Sequence, residues 1–358
     1  MPGLSDVEWL DPLVGRERNR ELERYVKREA GLVPPHTRYF GACPWIMRAD
    51  IDFDIASEHI GRLVDLIYLT VSRDNSCRFC YGGARLFMRM AGMSEAQIER
   101  LEQDVETARL EPRMLRALDF ARRVSRSNPP PGSADRKELL DLGYSEAAIR
   151  ELALFTGVVV FHNTINTLLA MPPHAAERIA ESWWGGLLRF QFRTALRRLA
   201  TTPAPAAPFA RGDSGPYADL TKRLGALPHA RVLRRTLDAA WASPHLSPRA
   251  RSLVFAVIAR GLGSASAERE ACRLVSAEGM PQGAISESLA NLSSPALDAA
   301  ETRILPYVRE TIWYQPASVQ RRGRALGEQL GHAVLLETVG VAALANMVCR
   351  IALALDEA

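Results

Sequence analysis

The chain has 358 residues, of which 47% are hydrophobic and 24% charged, proportions that exclude disorder beyond short linkers and predict a globular protein with buried cores in two domains. Its 45 lysines and arginines are interleaved with 41 acids for a net charge of +4, which leaves no basic footprint for nucleic acid. The opening "MPGLSDVEWL" has no leader-like apolar stretch, no uncharged apolar run nears the roughly 18 residues of a membrane span, and five cysteines do not make a secreted disulfide framework. A cytoplasmic protein without a membrane partner is expected.

Taken in chain order, apolar residues recur at helical spacing in "SEHIGRLVDLIYLTVSR" (57–73), "MLRALDFARRV" (114–124) and "SEAAIRELALFTGVVVF" (145–161), while alternating strand patterns are hard to find. The spacing predicts an all-α protein. Turn residues divide its helices at "SRDNS" (72–76), "AGMS" (91–94), "SNPPPGS" (127–133) and "MPPH" (171–174). The stretch "AESWWGGLLRFQFRTALRRLA" (180–200) steps arginines every four residues beside its aromatics. A membrane-surface helix is one reading, and packing onto the protein itself or onto a partner subunit is the favoured one. "TTPAPAAPFARGDSGP" (201–216) has the composition of a connector, dividing the chain into domains 1–200 and 217–358.

The two halves resemble each other. A shift of 187 positions places Leu66 on Leu253, Tyr68 on Phe255, Val71 on Ile258, Arg73 on Arg260, Gly92 and Met93 on Gly279 and Met280, and Ile98 on Ile285. The same shift aligns Leu118, Phe120 and Arg122 with Leu305, Tyr307 and Arg309, and a shift of 183 then aligns Gly157, Val158 and Asn163 with Gly340, Val341 and Asn346. Residues 45–170 are therefore expected to recur, degraded, as 230–355.

Polar residues kept in only one half are candidates for chemistry. In "NSCRFCYGGA" (75–84), Cys77 aligns with Ser264 and Cys80 with Ala267, so the repeated scaffold packs without either sulfur. Asp74, Asn75 and Ser76 are good N-cap residues and predict a helix starting at or just before Cys77. Both thiols then meet unpaired amides, the helix dipole and Arg78, and lowered thiol pKa values are expected. Cysteines three apart on a helix are close enough for one to attack a substrate and the other to close a disulfide, and Gly82 and Gly83 allow close approach. Two buried core cysteines, or half of a metal site, are the competing readings. The second wants two more ligands that no further CxxC or HxxxH supplies, and Tyr81 after Cys80 excludes covalent haem attachment. Neither metal nor cofactor is expected.

Asp65, in the apolar "LVDLIYLTV", is expected to be partly buried and so raised toward the range of a general base, although an ion pair with Arg62 or Arg73 would explain it equally. In "FTGVVVFHNTI", Asn163 is repeated as Asn346 and reads as structural. His162 aligns with Ala345 and is a site candidate, as is Tyr81, which aligns with Glu268.

"DLIYLTVSRDNSCRFCYGGA", Asp65 to Ala84, resembles the alkylhydroperoxidase D-like group of the carboxymuconolactone decarboxylase family, and "FHNTINTLLAMPP" resembles its closing helix. That resemblance implies a helical fold duplicated in one chain as a built-in pseudo-dimer, and assembly into a homo-oligomer. It implies Cys80 as the attacking thiol, Cys77 as the resolving thiol and Asp65 in place of the family's glutamate. The family's histidine falls at Ala84, so His162 or Tyr81 is left to replace it. A thiol oxidoreductase is expected, acting on a small-molecule peroxide or disulfide and recycled by an external dithiol reductant. The competing functions are a non-redox lyase or isomerase on the same scaffold and a redox-sensing assembly protein.

Overall fold

Among the described residues the apolar periodicity is realised as helix. The computed structural model describes residues 11–61, 63–90, 92–103, 110–172 and 215–356. Among them the first half forms α1 (Arg20–Ala30), a 3-10 segment (Pro35–Phe40), α2 (Pro44–Asp52), α3 (Leu63–Asp74), α4 (Arg78–Met90), α5 (Glu95–Gln103), α6 (Pro112–Arg126), α7 (Ser133–Asp141) and α8 (Glu146–Leu168). The second forms α9 (Ala218–Leu224), α10 (Pro228–Ala242), α11 (Pro248–Leu262), α12 (Ala265–Ala277), α13 (Gln282–Asn291), α14 (Ala299–Glu310), α15 (Pro316–Leu330) and α16 (His332–Leu355). No strand occurs among the described residues, and the protein is all-α. The segment 180–200 and connector residues 201–214 lie outside the described residues.

Local chemistry sets the boundaries. Asn19 accepts the Leu22 amide to start α1, Ser145 accepts from Ala148 to start α8, and Asp298 with Glu301 makes a capping box on α14. Proline opens α2, α6, α10, α11 and α15, where its missing N–H has no intrahelical partner to lose.

The two series of helices share one packing plan. In the first half α3 packs on α4, α6 and α8; in the second α11 packs on α12, α14 and α16. Arg78 and Ala265 start α4 and α12, Glu95 and Gln282 start α5 and α13, and Pro112 and Ala299 start α6 and α14, each pair 187 positions apart. The long helices α8 and α16 lie against each other at the centre. Both are long and apolar enough to cross a membrane by composition, yet 94% and 89% of their apolar windows are buried inside the protein, where they form its core. Gly157 permits the approach, since a Cβ there would stand 2.7 Å from Ile351 of α16.

The apolar cores are apportioned differently from a division into 1–200 and 217–358. Residues 60–160 form one cluster, closed by Ala354. Residues 13–53 join the other cluster, with 217–352 and the opposite face of α8 at Leu154, Val158, Phe161 and Ile165. α2 packs on α10, the Trp45 indole donates to Glu337 of α16 at 2.9 Å, and Gly340 leaves room for Ile46. The N-terminal helices thereby cover the second half.

Asn163 and Asn346 both serve the scaffold. Ser72 of α3 donates to the Asn163 side chain at 3.0 Å, while Asn346 donates to Thr311 at 3.2 Å and to the Ala342 carbonyl. One turn on, the buried Arg350 is satisfied by the carbonyls of Ser125 and Ile312, 2.7 and 2.8 Å away.

Candidate functional site

The turn between α3 and α4 places the two thiols. Asp74 ends α3 and is held by Arg122 of α6 at 2.7 and 3.2 Å; Asn75 donates to Ser125 at 3.1 Å; Ser76 takes a left-handed conformation at φ 54°. None of these three caps α4, contrary to expectation: Asp74 and Asn75 are engaged with α6, and Ser76 precedes the cap position. Cys77 stands at the N-cap position, its amide donating to the Ser72 carbonyl at 2.9 Å and its sulfur accepting the Cys80 amide at 3.3 Å. The sulfur thus fills the place of a capping serine or aspartate oxygen.

Both thiols are buried, at 1% and 2% exposure, but they are not equivalent. Cys77 lines a small cleft with Ser76, Arg78, Phe79, Asn166, Thr167, Met171 and Gln320, whose volume of about 10 Å³ is room for about one water. Cys80 lies outside that lining, where Asn166 of α8 donates to its sulfur at 3.5 Å. Burial, and next the neighbouring Cys77, push the Cys80 thiol well above its usual range, while the Asn166 N–H works the other way. The expected lowering of both thiols is therefore corrected for Cys80: desolvation outweighs the helix terminus there.

His162 is brought into this neighbourhood. Its backbone carbonyl accepts the second N–H of the Asn166 amide at 2.9 Å, so one side chain ties the His162 turn to Cys80. The ring is buried, with Nδ1 3.2 Å from the Tyr68 hydroxyl of α3 and Nε2 3.4 Å from Oδ1 of Asp50 at the end of α2. Burial lowers His162 to about 4 against the opposing pull of Asp54, so the imidazole is neutral near pH 7. Burial also raises Asp50 to about 7, with 30% of the side chain still open to solvent.

Asp65 and Tyr81 do not join them. Asp65 is exposed on the first turn of α3, so the expected burial fails even though some desolvation raises its carboxyl. It precedes Ser72, the residue bonded to the Cys77 amide, by seven helical positions, about 10 Å of rise. The apolar residues around it in sequence face the core, and Asp65 takes the one side of the helix left to solvent. Arg73, a suggested partner, instead bonds the Glu102 carbonyl. Tyr81 accepts from Arg85 at 3.3 Å, in a network that Arg85 continues to Glu102 at 2.7 Å, and burial raises its hydroxyl to about 12. It points away because one residue turns a helix by about 100°. Ala84 is packed in the first core.

Three residues of this neighbourhood escape the sequence reading: Asp50, Tyr68 and Asn166. The signals were present in the comparison of halves. Tyr68 aligns with Phe255, which has no hydroxyl; Asn166 aligns with Cys349; Asp50 aligns with Leu237. All five cysteines are free, and no group of three or more His, Cys, Asp or Glu fit to hold a metal occurs among the described residues. Compared with protein-family models, curated proteins and solved structures, the chain matches none.

Proposed function

We propose that the protein is a thiol oxidoreductase whose Cys77 and Cys80 cycle between dithiol and disulfide. The observation that carries this reading is the Cys80 amide held on the Cys77 sulfur, which lines a small cleft, in the half that alone has both cysteines. A sulfur at a helix N-terminus is favourably placed to act as a nucleophile. Its neighbour three residues on is within reach to resolve the product.

Cys77 lines the cleft and Cys80 does not, which favours Cys77 for the attack, the reverse of the order implied by the resemblance to the alkylhydroperoxidase D-like group. With a peroxide, the Cys77 thiolate takes the distal oxygen and an alcohol or water leaves. Cys80 then attacks the Cys77 sulfenic acid, the S–O bond breaks, and water leaves as the disulfide forms. A disulfide substrate would pass through a mixed disulfide instead. An external dithiol returns the pair to the reduced state, which suits a cytoplasmic setting. Room for about one water beside Cys77 favours a small oxidant, or a disulfide presented at the surface, over a ring-sized lyase substrate enclosed by the protein.

Mass spectrometry of protein treated with micromolar hydrogen peroxide and alkylated under denaturing conditions tests the reading. Loss of two mass units in the peptide carrying both thiols, reversed by a dithiol over repeated cycles, is the expected result. Unchanged free thiols at millimolar peroxide would overturn it.

A further inference from the structure

Gln320 comes from the second half of the chain yet lines the cleft beside Cys77. It lies near the start of α15, 3% exposed, where that helix packs on α8. Its Nε2 donates to the Thr167 carbonyl at 2.6 Å. A carbonyl only accepts, so this contact fixes which end of the planar amide is nitrogen and turns Oε1 away from Thr167 O.

That Oε1 is buried and makes no hydrogen bond with any described residue, and the same holds for the hydroxyl oxygen of Thr167, a residue 5% exposed. The Tyr314 hydroxyl lies near Thr167, but its own proton is held by the Asn75 carbonyl at 3.1 Å. Buried polar atoms are nearly always paired, so two orphans on residues that line one small space point to what that space receives. The cleft has a volume of about 10 Å³, so Cys77, Thr167 and Gln320 surround a space for about one water. An amide oxygen and a thiolate sulfur can only accept, and an occupant between them has to bring its own O–H. Among oxidants, hydrogen peroxide brings O–H groups, carries no carbon and comes nearest to water in size.

The comparison of halves supplies a second observation. At the positions matching Cys77 and Thr167 the second half has Ser264 and Arg350. The Arg350 side chain is long, and its guanidinium is spent on the carbonyls of Ser125 and Ile312. The short hydroxyl side chain that leaves room beside position 77 is thus found in the half that has the sulfurs.

We infer that Gln320 and Thr167 hold hydrogen peroxide against Cys77, so that the second half completes the site of the first and restricts its oxidant to a peroxide without a carbon chain. The inference rests on the thiol-couple reading. One peroxide O–H donates to Gln320 Oε1, which sets that oxygen before the Cys77 sulfur. The thiolate attacks it, the S–O bond forms as the O–O bond breaks, and the far oxygen leaves with the electron pair as hydroxide. The Thr167 hydroxyl donates to the far oxygen as its charge grows. The hydroxide takes up the proton given off when the thiol ionised, so one thiol and one hydrogen peroxide become one sulfenic acid and one water. An alkyl hydroperoxide also has an O–H, but its carbon group does not fit a space of this size.

The test follows the loss of two mass units in the peptide carrying both thiols, under excess hydrogen peroxide or tert-butyl hydroperoxide. Alkylation of Cys77 by iodomethane, a small electrophile without an O–H, measures the sulfur itself. The wild type should react at least about tenfold faster with hydrogen peroxide than with tert-butyl hydroperoxide. Gln320→Met, of similar length but without the amide acceptor, should lose about tenfold of the hydrogen peroxide rate and keep the iodomethane rate within about twofold. Thr167→Val removes the hydroxyl at nearly constant shape and should lose several-fold of the hydrogen peroxide rate, which Thr167→Ser should restore. That pair decides the outcome if Gln320→Met does not fold. Equal losses of the peroxide and iodomethane rates, as a merely structural role would give, overturn the inference, and so does an unchanged hydrogen peroxide rate in both Gln320→Met and Thr167→Val. A wild type oxidised by hydroxyethyl disulfide and by neither peroxide, or by both peroxides equally well, overturns this inference alone. A wild type whose thiols stay free with all three oxidants overturns the thiol-couple reading beneath it.

Discussion

The sulfur of Cys77 caps the helix that carries Cys80, accepting its amide at 3.3 Å. Capping and chemistry can be separated by substitution, because serine offers an oxygen in the same place and alanine offers nothing. Cys77→Ser should keep its stability within about 0.5 kcal/mol while losing all disulfide formation, and Cys77→Ala should lose about 1 kcal/mol as well. Denaturant unfolding of both variants, beside a thiol count, checks this; equal stabilities would mean that the sulfur is no cap.

The order of attack follows from which sulfur borders the cleft. Cys80→Ser, given one equivalent of peroxide, should accumulate a sulfenic acid on Cys77 that a dimedone-type reagent captures, whereas Cys77→Ser should react at least tenfold more slowly. Capture on Cys80 instead would restore the order implied by the family resemblance.

Asn166 offers one N–H to the Cys80 sulfur and the other to the His162 carbonyl. Asn166→Leu removes the N–H that favours the thiolate of a buried cysteine, so the Cys80 thiol should rise further and disulfide closure should slow by about tenfold, with the first oxidation of Cys77 less affected. Stopped-flow kinetics of the two steps would show the split.

Asp50 and His162 should tilt stability against pH in opposite directions. Asp50 holds its proton up to about 7 in the folded protein against 3.8 when unfolded. Its contribution is therefore full below about pH 4 and is lost as pH rises toward 7. His162 titrates at about 4 in the folded protein against 6.5 when unfolded, so its contribution is present above 6.5 and lost as pH falls toward 4. Relative to wild type, Asp50→Asn should gain stability as pH rises from 4 to 7, and His162→Gln should lose it over the same span. Each change is of the order of 2–3 kcal/mol, the solvent at Asp50 reducing its share. Chemical unfolding at pH 4, 5.5 and 7 measures both slopes, and parallel curves for the two variants would contradict the assignment.

Tyr81→Phe should leave the rate of disulfide formation within about twofold of wild type, since its hydroxyl is committed to Arg85. Its cost should be confined to stability, about 0.5–1 kcal/mol for the lost hydrogen bond. A tenfold loss of thiol reactivity would return Tyr81 to the site.

The sequence by itself determined the helices, because helical spacing of apolar residues and local caps such as Ser145 and Pro112 act within a few residues of chain. It also singled out Cys77, Cys80 and His162, polar residues that align with Ser264, Ala267 and Ala345 when the two halves are compared. What surrounds them was decided by tertiary packing alone. Asp50 reaches His162 only because α2 folds over α8 across more than a hundred residues of chain, and Asp65 faces solvent only because the rest of α3 is claimed by the core. Burial and partner distance set the charge state of a side chain, and neither is a property of its place in the sequence.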